Sequence, residues 1–301
     1  MNKEELINGL NDKQKEAVLA TDGPCLVIAG AGSGKTKVLT HKIAYDIESG
    51  IKPWNILAIT FTNKAANEMK ERIEKLIGDA AKDLWMGTFH SICVRILRRY
   101  IDRIGYKTDF VIFDTSDQKT LIKECLKTLK VDDKIFTDRG VLSEISNGKN
   151  EMLEPKAYGV KYAGDFRKKT IAEIYELYQR RLRENNAIDF DDIINFTIKI
   201  LSENPDVLDY YTEKFKYILV DEYQDTNKAQ LTLVSLLASK YGNVTAVGDN
   251  DQGIYSFRGA DISNILNFER DFPGTRIIKL EQNYRCTGNI LKAANAVIKH
   301  N

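Results

Sequence analysis

Cysteine is scarce in this chain: Cys25, Cys93, Cys125 and Cys286 are the only four in 301 residues. None has the spacing of a metal knuckle or of a disulfide framework. That usage fits a reducing, cytoplasmic setting. Only three histidines are present, which argues against a zinc site built from them. Excess charge is missing too, since the formal net charge is +1, so any surface for a polyanion has to be local. No apolar run approaches the roughly 20 residues of a membrane-spanning helix, and no membrane association is expected. Met1 to Glu5 lack the basic-then-apolar order of a secretory signal. Repeats and low-complexity segments are absent as well. What is left is ordinary globular composition, 43% hydrophobic and 29% charged, on a chain long enough for more than one domain.

One stretch organises the remainder. Ala29, Gly30, Ala31, Gly32, Ser33, Gly34, Lys35 and Thr36 follow an apolar run, Cys25 to Ile28, and precede a helical pattern from Lys37 to Tyr45. Strand, glycine-rich turn and helix are the context of a phosphate-binding loop. Glycines let successive N–H groups converge on an anion, and the helix N-terminus adds its partial positive charge. Lys35 is then expected to reach the β- and γ-phosphates, with the Thr36 hydroxyl on Mg²⁺. A flexible Gly/Ser turn explains neither Lys35-Thr36 nor the flanking elements. Ala29 replaces the first glycine of the generic pattern, a small-for-small change. Upstream, Asn11 is placed to cap a helix carrying Gln14, either a solvated helix residue or an amide reading the adenine edge.

Further apolar runs read as strands: Ile56 to Ile59, Leu84 to Met86, Phe110 to Phe113, Phe215 to Val220, Val244 to Val247 and Arg276 to Leu280. Helical periodicity separates most of them, which predicts an α/β fold with a parallel sheet covered on both faces. Ligands of such sheets sit at the carboxyl ends of the strands, where Phe61, Asn63, Thr88 and His90 fall. The run ending at Val220 leads into Asp221-Glu222. Asp221 is expected to hold Mg²⁺ opposite Thr36, and Glu222 to polarise the attacking water. The stretch after Val247 puts polar groups, two aromatics and an arginine at a strand end, as a relay between phosphate and a second ligand would.

Between Asp114 and Ala187 the alternation stops. Helices are expected over 115–130, 139–147 and 170–185, with no strand, and Ile188 to Ile193 reads as an acidic helix start. This predicts a helical insertion, 114–187, between two parts of one α/β domain, 1–113 and 188–301. Lys161, Arg167, Lys168 and Lys169 form its most basic patch, a solvated face with at most weak phosphate contact.

Taken in order, Gln14, Ala29–Thr36, Thr60–Arg72, Gly87–Ile92, Ile188–Ile193, Val220–Thr226, Val247–Ala260 and Glu281–Arg285 resemble the superfamily-one DNA helicases of the UvrD/PcrA/Rep type. The resemblance spans the chain. It implies a RecA-like P-loop domain with an inserted all-helical subdomain, using ATP and Mg²⁺ to move 3′ to 5′ on single-stranded DNA. Duplex junctions with a 3′ tail are the implied substrate, repair or replication proteins the implied partners, and a monomer the expected state. By this resemblance Gln14 reads adenine, Tyr284 stacks on it, and Gln252 and Arg285 sense the γ-phosphate beside Lys35 and Glu222. Phe61, Tyr255 and Phe257 would face bases, while Asn63, Thr88 and His90 would touch the DNA backbone.

Three positions depart from the family pattern. Lys37 stands where an arginine usually packs on the base, Phe257 replaces a frequent tryptophan, and Gly253 replaces a frequent serine. The family also continues into a second RecA-like domain that supplies another arginine. That domain is expected to be absent here, whether the chain is an expressed fragment or a truncated product. Unwinding by these 301 residues alone is therefore not expected. Two other classes stay open: another P-loop ATPase with a small acceptor, and a DNA-binding or partner-docking fragment without ATP turnover.

Overall fold

The computed structural model describes residues 2–249, 261 and 263–298. Two compact units are present: Met1–Phe89 with Leu208–Thr226 and Val234–Asn301, and His90–Val207 with Asn227–Leu233. The strands among the described residues are β1 (Cys25–Ala29), β2 (Ile56–Thr60), β3 (Trp85–Thr88), β4 (Val111–Ile112), β5 (Ala187–Ile188), β6 (Tyr217–Val220), β7 (Val244–Gly248) and β8 (Arg276–Leu280). No helix among the described residues is long and apolar enough to cross a membrane.

The first unit holds a six-stranded sheet of order β3-β2-β6-β7-β1-β8, parallel at every pairing. Strands β2 and β7 are buried along their whole length. A sheet covered on both faces needs such unbroken apolar runs rather than alternation. Edge strand β8 instead exposes Arg276, Ile277 and Lys279, and its two charges discourage pairing with another chain. Helices Asp12–Leu19, Lys35–Glu48 and Asn63–Ile77 contribute Val18, Ile43 and Ile73 to one core with Val27, Ala58, Leu219 and Val247. Because all strands run the same way, the segments after β1, β2, β6, β7 and β8 emerge at one end of the sheet.

The second unit is almost wholly helical: Thr115–Leu129, Asp138–Asn150, Pro155–Lys161, Phe166–Glu184 and Phe190–Glu203. Ile122, Leu126, Ile145, Ile174, Tyr178 and Leu182 form its core. The helix expected from residue 170 starts at Phe166, because the Asp165 side chain caps it by accepting from the Lys168 N–H at 3.0 Å.

Two expectations need correction. Phe110 to Phe113 is not a strand of the large sheet. Only Val111–Ile112 is extended, and it pairs in parallel with Ala187–Ile188 in a separate two-stranded ribbon. Phe110 is buried with the Arg98 guanidinium 3.9 Å from its ring, and Val111 is 55% exposed, so this run has no second sheet face to cover. Ile188 accordingly belongs to a strand, in a stretch where none was expected, and the helix that follows starts at Phe190.

Candidate functional site

The turn after β1 is built from glycine for steric reasons. Gly32 and Gly34 have φ of +74° and +93°, the left-handed region that side chains disfavour. A Cβ on Gly32 would stand 2.5 Å from Arg285 Cβ, and one on Gly34 2.7 Å from Gln14 Nε2. Four successive carbonyls of the turn accept bonds from the chain. Ser33 Oγ donates to Gly30 O at 2.7 Å, Asn283 Nδ2 to Ala31 O, the Tyr284 N–H to Gly32 O at 2.8 Å, and Gln14 Nε2 to Ser33 O at 3.0 Å. The loop therefore presents donors, not acceptors, to a ligand. The helix Lys35–Glu48 that follows has no side-chain cap, so its first N–H groups add to that anion-favouring end.

Opposite the loop, β6 delivers the acidic pair. The buried Asp221 extends the strand by donating its N–H to Ile59 O at 3.0 Å, and its Oδ1 accepts the Glu222 N–H at 3.0 Å. Burial, and then the Glu222 charge, raise the Asp221 pKa to about 6. Glu222 itself has φ of +47°, a costly backbone for a non-glycine residue and one that recurs at functional turns. Its Oε2 accepts from Lys35 Nζ at 2.9 Å. Gln224, two residues on, donates Nε2 to the same oxygen at 3.0 Å and accepts the Asp249 N–H on Oε1 at 3.0 Å. This buried amide bridges the turn after β6 and the end of β7. A Cβ on Gly248 would crowd this amide, standing 2.7 Å from Ile265 Cδ1 and 2.8 Å from Gln224 Oε1. The sequence reading assigned Gln224 no role; its place two residues after Glu222 was the available signal.

A nucleotide polyphosphate with a divalent cation fits this donor set. N–H groups and Lys35 suit phosphate oxygens, and the Asp221 carboxylate and the Thr36 hydroxyl are hard oxygen ligands. The Glu222 oxygen on Lys35 stands where a phosphate oxygen could be engaged. Thr36 is half-buried in the first helical turn, and no hydrogen bond joins it to Asp221 among the described residues.

On the side expected to take the base, the buried Gln14 also accepts the Asn11 N–H at 3.1 Å. Tyr284 is 56% exposed, with its hydroxyl accepting from Asn11 Nδ2 at 2.8 Å. The exposed Lys37 donates Nζ to Gly9 O at 2.8 Å. Arg285 is exposed, and Asn283 Oδ1 fixes its backbone by accepting its N–H at 2.9 Å. Asn283 is a second residue the sequence reading passed over.

The residues expected on DNA differ in setting. In the first unit Phe61 is half-buried, edge-on to Phe89 at 5.5 Å. Asn63 is exposed at the start of the helix that Thr62 caps, and Thr88 is buried at the end of β3. In the second unit His90 lies 4.2 Å from the ring of Phe190, tilted by 33°. Burial lowers the His90 pKa to about 4, so the imidazole is neutral at physiological pH and can donate a hydrogen bond but not neutralise a phosphate. Phe190, 55% exposed, is an aromatic the sequence reading missed; its place at the first turn of an acidic helix disguised it. Gln252, Gly253, Tyr255 and Phe257 lie outside the described residues.

The sequence also matches known proteins. The family described as UvrD/REP helicase N-terminal domain matches residues 10–273. The chain is 58% identical over 297 residues to the ATP-dependent DNA helicase PcrA of Staphylococcus aureus (strain NCTC 8325 / PS 47), covering 98% of this chain and 40% of that protein. It is 56% identical over 298 residues to the ATP-dependent DNA helicase PcrA of Bacillus subtilis (strain 168), covering 99% of this chain and 40% of the relative. The chain thus spans about two fifths of the length of these relatives. Its parallel sheet, phosphate-type loop and helical unit are those of a RecA-like α/β protein with a helical insertion. The chain belongs to the UvrD/REP helicase family and carries its amino-terminal domain.

Proposed function

We propose that this chain is the ATP- and single-stranded-DNA-binding part of a 3′ to 5′ DNA helicase, in which ATP hydrolysis drives movement along the strand. The observation that carries it is Lys35 on Glu222 at 2.9 Å, which brings the loop lysine and the strand-end carboxylate into direct contact at the carboxyl end of the sheet. Loop N–H groups from Gly30 to Gly34 and the Lys35 ammonium bind and orient the phosphates. Thr36 and Asp221 hold Mg²⁺, which when bound offsets negative charge on the transferring phosphoryl group. Released from Lys35, Glu222 orients and deprotonates the attacking water, held in place by Gln224. Arg285 and Gln252 contact the γ-phosphate, and Tyr284, Gln14 and Lys37 border the base.

For DNA, the supporting features are aromatic positions able to grip any base, worth about 1–3 kcal/mol each. Phe61, Phe190, Tyr255 and Phe257 fill that role, with Asn63, Thr88 and His90 on the backbone. We read 114–187 as an insertion between 1–113 and 188–301; the second compact unit that contains it runs from His90 to Val207 and takes in Asn227–Leu233. The test is Mg–ATP and oligothymidylate binding by the purified chain, with ATP turnover followed as single-stranded DNA is added. Nucleotide binding and strongly salt-dependent DNA binding are expected. ATP binding without any DNA affinity would favour a P-loop ATPase of another kind.

A further inference from the structure

A buried ion cluster in the second unit has no part in the reading above. Lys149, in the last turn of helix Asp138–Asn150, is 2% exposed. Its Nζ lies 2.6 Å from Asp189 Oδ2 and 2.7 Å from Asp192 Oδ1. Those two aspartates already cap helix Phe190–Glu203 reciprocally. Asp189 Oδ1 accepts the Asp192 N–H at 2.9 Å, and Asp192 Oδ2 accepts the Asp189 N–H at 3.2 Å. Tyr178 Oη donates to Asp189 at 3.1 Å, and Gln179 Nε2 to Asp192 at 3.0 Å. The Lys149 carbonyl in turn accepts from Asn195 Nδ2 at 2.9 Å, one turn further along the same helix.

A capping box needs only its two side chains. Burying a lysine as well costs several kcal/mol in lost hydration, which only close ion pairing offsets. Phe190 and Asp191 lie between the two clamped aspartates, and Phe190, at the first helical position, is 55% exposed with the His90 ring 4.2 Å from its own. Tying the Asp189 and Asp192 carboxylates to a third element holds the backbone turn that presents that ring. We propose that Lys149 is a positioning residue for single-stranded DNA, holding Phe190 against His90 as a rigid platform on which a base stacks. The proposal rests on the DNA-binding reading given above.

The test is a double-mutant cycle on the purified chain, read by fluorescence anisotropy with an oligothymidylate of about 12 nucleotides and an abasic strand of equal length. Phe190→Ala should weaken thymidylate binding about 5- to 150-fold, the range of one lost stack, and leave the abasic strand little changed. Lys149→Met should give the same selective loss, no further loss in the Phe190→Ala background, and unaltered Mg–ATP affinity. If Lys149→Met alone does not fold, Lys149→Met/Asp189→Asn/Asp192→Asn removes the charges together and keeps asparagine as a competent cap. A folded variant with unchanged thymidylate affinity, losses that multiply with Phe190→Ala, or equal losses on both strands would each overturn the proposal. No strand binding by the unmodified chain would overturn the DNA-binding reading and this inference with it.

Discussion

Gly32→Ala is the perturbation whose size the structure fixes best. At φ of +74° an alanine costs about 1–2 kcal/mol in backbone strain. Its methyl would also meet Arg285 Cβ at 2.5 Å and Asn283 Nδ2 at 3.0 Å. Arg285 Cβ is bonded directly to the backbone, whose Arg285 N also lies 3.3 Å from the added methyl, so the segment after β8 has to shift. That shift breaks the 2.8 Å bond from the Tyr284 N–H to Gly32 O, worth about 1 kcal/mol. The sum is about 2–3 kcal/mol of destabilisation. Mg–ATP affinity should fall by more than about tenfold, because the displaced segment carries Tyr284 and Arg285. Gly30→Ala is the control: its φ is not left-handed and nothing lies within 4 Å of the added methyl. Its stability should stay within about 0.5 kcal/mol of the parent. Urea melts give the stabilities and titration calorimetry the affinities. A Gly32→Ala chain with parental stability and parental ATP affinity would refute the steric argument.

The remaining predictions concern the same unit. Lys35→Ala should abolish most Mg–ATP affinity while the fold survives, since the half-buried lysine head faces Glu222 and the ligand space; calorimetry on a folded variant with unchanged affinity would sink the assignment. Asp221→Asn should weaken the Mg²⁺-dependent part of binding, whereas Glu222→Gln should leave binding nearly intact and slow hydrolysis; equal losses of Mg–ATP affinity would remove Glu222 from its role. Asp46 offers a pH test. Burial raises its pKa to about 6, an effect that the Lys42 charge, 3.7 Å away, offsets only in part. The folded chain thus binds this proton more tightly than the unfolded one, so its contribution is full below the ordinary carboxylate value and is lost as pH rises through about 6. Relative to the parent, Asp46→Asn should gain about 2 kcal/mol in stability between about pH 4.5 and about pH 7.5, and a pH-independent difference would contradict this.

What the amino-acid order determined by itself is local structure carried by neighbours along the chain. Cys25–Ala29, the glycine turn and Lys35-Thr36 form one unbroken strand–turn–helix, and Val220 runs straight into Asp221-Glu222, so local periodicity and spacing were sufficient. Phe61, Asn63 and Thr88 were legible at the ends of β2 and β3 for the same reason, since those strands run parallel. Tertiary structure alone decided the rest, because each case turns on a partner remote in sequence. Phe110 to Phe113 has the composition of a sheet strand, but its pairing with Ala187–Ile188 takes it into a ribbon of its own. Gln224 gains its bridging place from Asp249, and a side chain at Gly248 would crowd Gln224 and Ile265. Lys149 reads as one more surface lysine until Asp189 and Asp192, 40 and 43 residues away, close on it. A buried charge is set by which distant groups arrive to replace its water, and no periodicity within one helix encodes that arrival.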